Sequence, residues 1–97
     1  MAKKTNKSAT GTSFHNTYLY TTVGRLLKLF PDSCSNGDGG YKSYYEFTLE
    51  TENGDVFTIY DWKEGYDNGL NREIEFHIGG RNQMVTEQAR RELQAFL

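Results

Sequence analysis

Proline, cysteine and tryptophan occur once each among these 97 residues, and histidine twice. A lone cysteine, Cys34, cannot close an intrachain disulfide, so no covalent staple holds the fold. Nor can it supply a multi-thiolate zinc site. No apolar run approaches the ~20 residues that a membrane-crossing helix needs, so no membrane span is expected. Lys3, Lys4 and Lys7 are basic, but no apolar stretch follows them, and the start of the chain does not read as a secretory signal. With the single thiol, this points to a reducing, cytoplasmic setting. Catalytic signatures are missing too: there is no nucleophile elbow, HExxH or CxxC. His15 and His77 are the only neutral-pH acid–base groups. Carboxylates are plentiful, yet no spacing singles out a pair for hydrolysis. The expectation is a non-enzymatic protein without a cofactor or resident metal.

What the chain has in quantity is aromatic surface and acid. Seven Tyr, six Phe and one Trp carry much of the burial available to a domain of this size, because each ring removes a large area from water. Charge is unevenly distributed. Residues 1–31 hold Lys3, Lys4, Lys7, Arg25 and Lys28 and no acid. Residues 46–75 hold nine carboxylates against Lys63 and Arg72, a net −7. Such a block repels phosphate backbones, so direct nucleic-acid binding is not expected, and it attracts basic surfaces.

In chain order, residues 1–13 are small, polar and basic, and are expected to form a disordered tail ahead of a single domain over 14–97. Tyr18 to Val23 alternate as a strand does. Gly24 marks a bulge, and a long bent strand over 17–30 is favoured, with a short helix from Gly24 to Phe30 as the alternative. Residues 31–40 are turn formers around Cys34 and read as a loop. Tyr45, Phe47 and Leu49 define a strand over 41–51. Asn53-Gly54 supplies a type I′ turn, and Val56 to Trp62 return over 55–62. This strand is apolar on both faces, and one helix can cover only one of them. The second face, with Tyr60, Trp62 and Tyr44, must therefore meet a loop, the N-terminal segment or another molecule. Asp61, Glu64 and Asp67 are acidic but lack the register of a calcium loop.

Ile74, Phe76 and Ile78 alternate with Glu73, Glu75 and His77 in a strand over 72–78. Glu73, Glu75 and His77 share a face at ~6.6 Å spacing. An outward polar face accounts for them more simply than a metal does. Gly79-Gly80 breaks the ladder through positive φ. Val85, Ala89 and Leu93 then recur at helical spacing, with Asn82 as N-cap.

These elements make an α+β domain: a four-stranded, antiparallel, mainly meander sheet with the C-terminal helix packed on one face (ββββα). Two functions of different classes follow. The first is a protein-binding module that uses Tyr44, Glu46, Tyr60, Trp62, Glu73 and Glu75 as an acidic, aromatic-bearing face. Its partner would be a basic or nucleic-acid-binding protein, met in the manner of small viral accessory inhibitors that offer carboxylates in place of phosphates. Self-association into a homo-oligomer is also expected, since the second sheet face needs covering. The alternative is a small-ligand binder holding a nucleotide or other anion at Gly79, Gly80, Arg81 and Asn82, where N–H groups at a helix start attract negative charge.

Overall fold

The computed structural model describes residues 1–35, 45–62 and 71–97. In chain order these form β1 (Lys3–Lys4), β2 (Ser13–Thr22), α1 (Val23–Leu29), β3 (Cys34–Ser35), β4 (Glu46–Glu50), β5 (Val56–Asp61), β6 (Glu73–Gly80) and α2 (Gln83–Gln94). Every strand pair is antiparallel, and the sheet runs β1-β4-β5-β6-β2 with β3 also on β4. The domain is α+β, as the alternation and the final helical stripe require. No described helix is long and apolar enough to cross a membrane.

Side chains alternate across a strand, so each strand divides its residues between two layers. Leu19, Phe47, Leu49, Phe57, Ile59, Ile74, Phe76 and Ile78 form the core with Val85, Ala89 and Leu93 of α2. Val23, Leu26 and Phe30 extend that core from the first helical segment. The intervening residues of the four main strands face the other way.

Four local differences from the sequence expectations have physical causes. The first long strand pairs with β6, not with β4. α2 packs on both β2 and β6, as suits a helix ~10 Å wide lying over strands ~4.8 Å apart. Residues 23–29 are helical rather than a bent strand. The Thr22 hydroxyl accepts from Arg25 N–H at 3.0 Å, which caps the first turn, and Val23 and Leu26 are buried by it. The bulge lies earlier, between Phe14 and Thr17, with Asn16 at φ 63°. Residues 1–13, expected as a tail, lie along the sheet: Ala2 is buried, and Lys3 and Lys4 pair with Glu50 and Leu49. There Lys7 donates to the Gly54 carbonyl at 2.8 Å. The exposed edge of β4 supplies the backbone partners that a free tail would lack.

Two glycine expectations are also corrected. Gly54 alone carries the positive φ of the hairpin, at 86°, so the turn is not type I′, which needs a second such residue at Asn53. Gly54 N–H donates to Thr51 O and Thr51 N–H to Asp55 O. Gly79 and Gly80 do not break the ladder. They continue β6 and are paired with Phe14 and Ser13 on one side and Thr58 and Phe57 on the other. Their role is close approach. A Cβ on Gly80 would lie 2.8 Å from Thr86 Cγ2, and one on Gly79 would lie 2.6 Å from Thr58 Oγ1.

Candidate binding face

The layer opposite α2 is built from the even-numbered residues of β2, β4 and β5 and the odd-numbered residues of β6. One cross-strand row runs Tyr18–His77–Tyr60–Glu46. Two neighbouring rings complete it. Phe14 pairs with Gly79, and because Gly79 has no side chain, the Phe14 ring lies across to His77, 4.1 Å away and nearly parallel at 15°. Trp62, just past β5, stacks on His77 from 5.7 Å at 20°. Tyr18 and Tyr60 meet the same imidazole edge-on at 5.3 and 5.5 Å. His77 therefore sits at the centre of four aromatic rings.

The bulge makes this cluster possible. Between Phe14 and Thr17 the chain advances three residues while β6 advances one, from Gly79 to Ile78. Two extra residues preserve the alternation, so Phe14 and Tyr18 remain on the same face. Asn16 takes the left-handed conformation that asparagine tolerates better than most residues. The displaced His15 turns its Nε2 to the Gly80 carbonyl at 3.1 Å.

Acids border the rings. Glu46 is opposite Tyr60, Glu75 opposite Tyr20 and Glu73 opposite Thr22. Glu73 and Glu75 are exposed, and Tyr20 is 65% exposed. Burial pushes the Tyr60 phenol above its ordinary pKa, and Glu46 adds to the rise. Burial also holds the His77 imidazole below its ordinary value, against the upward pull of Glu75. The neutral imidazole is thereby favoured among the rings.

Of the residues expected to bind a partner, Glu46, Tyr60, Trp62, Glu73 and Glu75 lie on this one face, while Tyr44 lies outside the described residues. Phe14, Tyr18 and Tyr20 join them and were not singled out by the sequence, and His77, expected to share a face with Glu73 and Glu75, joins them as the centre of the rings. The signal for Tyr18 and Tyr20 was their parity, but it needed the β2–β6 pairing to become legible. Glu73, Glu75 and His77 do share the face; among the described residues no group of three or more His, Cys, Asp or Glu is placed to hold a metal. Of the acids compared with a calcium loop, Glu64 and Asp67 lie outside the described residues. Asp61 is buried and accepts from Tyr45 N–H at 2.8 Å.

The turn considered for an anion has a different geometry from the one its sequence implied. Both ladders engage Gly79 and Gly80, Asn82 Oδ1 accepts from Val85 N–H at 3.0 Å, and Arg81 pairs with Asp55 at 2.6 Å. A groove of about 480 Å³ lies beside Arg81 and is lined also by Lys7, Thr10 and Gly54. Each of its two cations faces a carboxylate, Arg81 facing Asp55 and Lys7 facing Glu50 at 3.8 Å. Cys34 is half-buried, and burial raises its thiol pKa, which disfavours the reactive thiolate. Comparison with models of known protein families, with curated proteins and with solved structures returns no match.

Proposed function

We propose that this protein is a non-enzymatic binding module whose sheet face opposite α2 engages a basic surface of another protein, with arginine as the preferred contact. One observation carries the reading: four aromatic rings gather around His77, with Glu46, Glu73 and Glu75 in the adjoining positions. A guanidinium stacks on an aromatic plane and at the same time donates two parallel hydrogen bonds to a carboxylate. Lysine satisfies only the charge. Aromatic anchors with charge at the rim are the usual makeup of a binding hot spot. A basic partner that normally holds nucleic acid would meet carboxylates here in place of phosphates, so the module would act as a competitor for that surface.

The test uses Trp62, the chain's one tryptophan, as reporter. The protein is titrated with an arginine-rich peptide and with its lysine counterpart, following fluorescence. The arginine peptide is expected to bind more tightly. Trp62→Ala should weaken it by about 2 kcal/mol, roughly thirtyfold in Kd, measured by calorimetry. Glu73→Lys with Glu75→Lys should weaken binding and flatten its salt dependence. Arg81→Glu, which alters a residue paired with Asp55 and outside the ring cluster, should leave it unchanged. Equal affinity for both peptides, or loss of binding only in Arg81→Glu, would sink the reading and favour an anion site at the turn.

A further inference from the structure

The two sides of the sheet end differently. On one side, β4 is covered by the two-residue strands β1 and β3, the former made of Lys3 and Lys4. Short strands and lysines are how proteins blunt an edge against further pairing. On the other side, among the described residues, the sheet ends in β2, ten residues long, Ser-Phe-His-Asn-Thr-Tyr-Leu-Tyr-Thr-Thr, with neither a charged residue nor a proline. Past the bulge, Thr17 to Thr22 pair with β6 in unbroken register. A long, neutral, regular edge is a template for one more strand.

Its sequence says which strand. Thr17-Tyr18-Leu19-Tyr20-Thr21 reads the same in both directions. An antiparallel neighbour related by a two-fold axis at Leu19 would therefore place Tyr18 against Tyr20, Thr17 against Thr21 and Leu19 against itself. Aromatic pairs and threonine pairs are among the favourable cross-strand combinations, and both are repeated by the symmetry. Thr17, Leu19 and Thr21 turn into the core and are 1–2% exposed, whereas Tyr18 and Tyr20 are 38% and 65% exposed, so the tyrosine pairs are the side-chain contacts that a second copy meets.

We infer that the β2 edge is the docking site for a second copy of this chain, paired antiparallel about Leu19 into one continuous sheet. The aromatic faces of the two copies then lie on the same side of that sheet, with Tyr18 and Tyr20 at its centre. A binding face twice as wide results, able to hold two basic segments at once. The inference is independent of the proposed function: a face that binds no basic partner leaves the edge as it is.

Sedimentation equilibrium of the full chain provides the first test, with a dimer expected in the micromolar range. Tyr20→Lys alters an exposed side chain outside the core and should weaken that dimer about tenfold, through two symmetric pairs. Register is tested by Tyr18→Cys with Tyr20→Cys in a Cys34→Ser background. Mild oxidation should lock a covalent dimer through links from position 18 to position 20, because facing positions bring Cβ atoms within ~5 Å. A monomer at concentrations up to about 1 mM, a dimer as tight in Tyr20→Lys as in the unaltered chain, or a dimer that never forms the link would each overturn the proposal.

Discussion

Gly80 offers the sharpest test of how the last strand meets the last helix. A methyl at this position would lie 2.8 Å from Thr86 Cγ2 and 3.2 Å from Val85 Cγ1. Thr86 cannot easily turn aside: it is fully buried, donates to Gln83 O at 3.0 Å and lies 2.7 Å from the Thr17 hydroxyl. Gly80→Ala therefore overpacks a held contact, at a cost of about 1–3 kcal/mol. The alanine also restricts the unfolded chain, which returns roughly 0.4–1 kcal/mol because Gly80 has no positive φ to lose. The net expectation is a destabilisation of up to about 2.6 kcal/mol, several degrees in Tm for a domain of this length. Thr86→Ser deletes the colliding methyl and keeps the hydroxyl. Alone it should cost about 0.8 kcal/mol, the value of one buried methyl group. In the double variant the alanine methyl occupies the vacated space, so the two changes should cost less together than their sum by about 1 kcal/mol. Urea unfolding followed by Trp62 fluorescence measures all four proteins. Strict additivity would refute the argument, since it would mean that Gly80 is required for its backbone freedom and not for the approach of α2.

Three further outcomes are expected. Thr17→Val removes the hydroxyl that approaches Thr86 and donates to Glu87 at 3.2 Å, and should lose about 1–3 kcal/mol in urea unfolding; replacing Thr86 by Val as well should cost less than the sum. His77 has a folded pKa below its unfolded 6.5, so its contribution is complete above 6.5 and declines as pH falls through the folded value. The groups facing it are Phe14, Tyr18, Tyr60, Trp62 and Glu75, and His77→Gln should flatten the loss of stability between pH 7 and 5, read as urea midpoints. Glu50 is held below its ordinary pKa by the Thr5 hydroxyl, with Lys7 and Lys3 adding to it. Its hold on residues 3–7 is therefore present above pH ~4.5 and lost on acidification. Amide exchange at Lys3 and Lys4 should accelerate there while the β5–β6 amides stay protected.

The elements that could be read from the sequence are those whose side-chain period alone decides their structure. β4, β5, β6 and α2 each carry several apolar residues at spacing two or four; each forms within the expected stretch, with positions 41–44 of the first lying outside the described residues and β6 running on through Gly79 and Gly80. Residues 23–29 defeat that reading because four apolar residues in a seven-residue segment fit either period; the Thr22 cap settles it, a single hydrogen bond from Arg25 N–H. Gly79-Gly80 misleads for a different reason. Glycine is chosen either for positive φ or for lack of a Cβ, and only the position of Thr58 and Thr86 distinguishes the two. Residues 1–13 have too little apolar surface to form structure by themselves. What orders them is the open edge of β4, which no local pattern reveals.

The binding face follows the same logic one level higher. Tyr60 and Trp62 could be placed from β5 alone, because a strand that is apolar on both sides must have a second surface. That surface was complete only once β2 crossed to the far side of β6, bringing Tyr18 beside His77. Had β2 paired with β4 in simple meander order, Tyr18 would have stood at the opposite end of the sheet, with β4 and β5 between it and His77. The crossing also serves α2, whose apolar stripe packs on both β6 and β2, with Leu19 beside Phe76 beneath it. Gly79 and the two-residue bulge then set Phe14 on the remaining side of the imidazole. The position of the aromatic face is therefore a consequence of how the opposite face of the sheet is packed. A change that moves α2 off β2 should disperse the ring cluster without touching any of its members, and Gly80→Ala, which presses on that junction, should alter the Trp62 emission of the folded state as well as its stability.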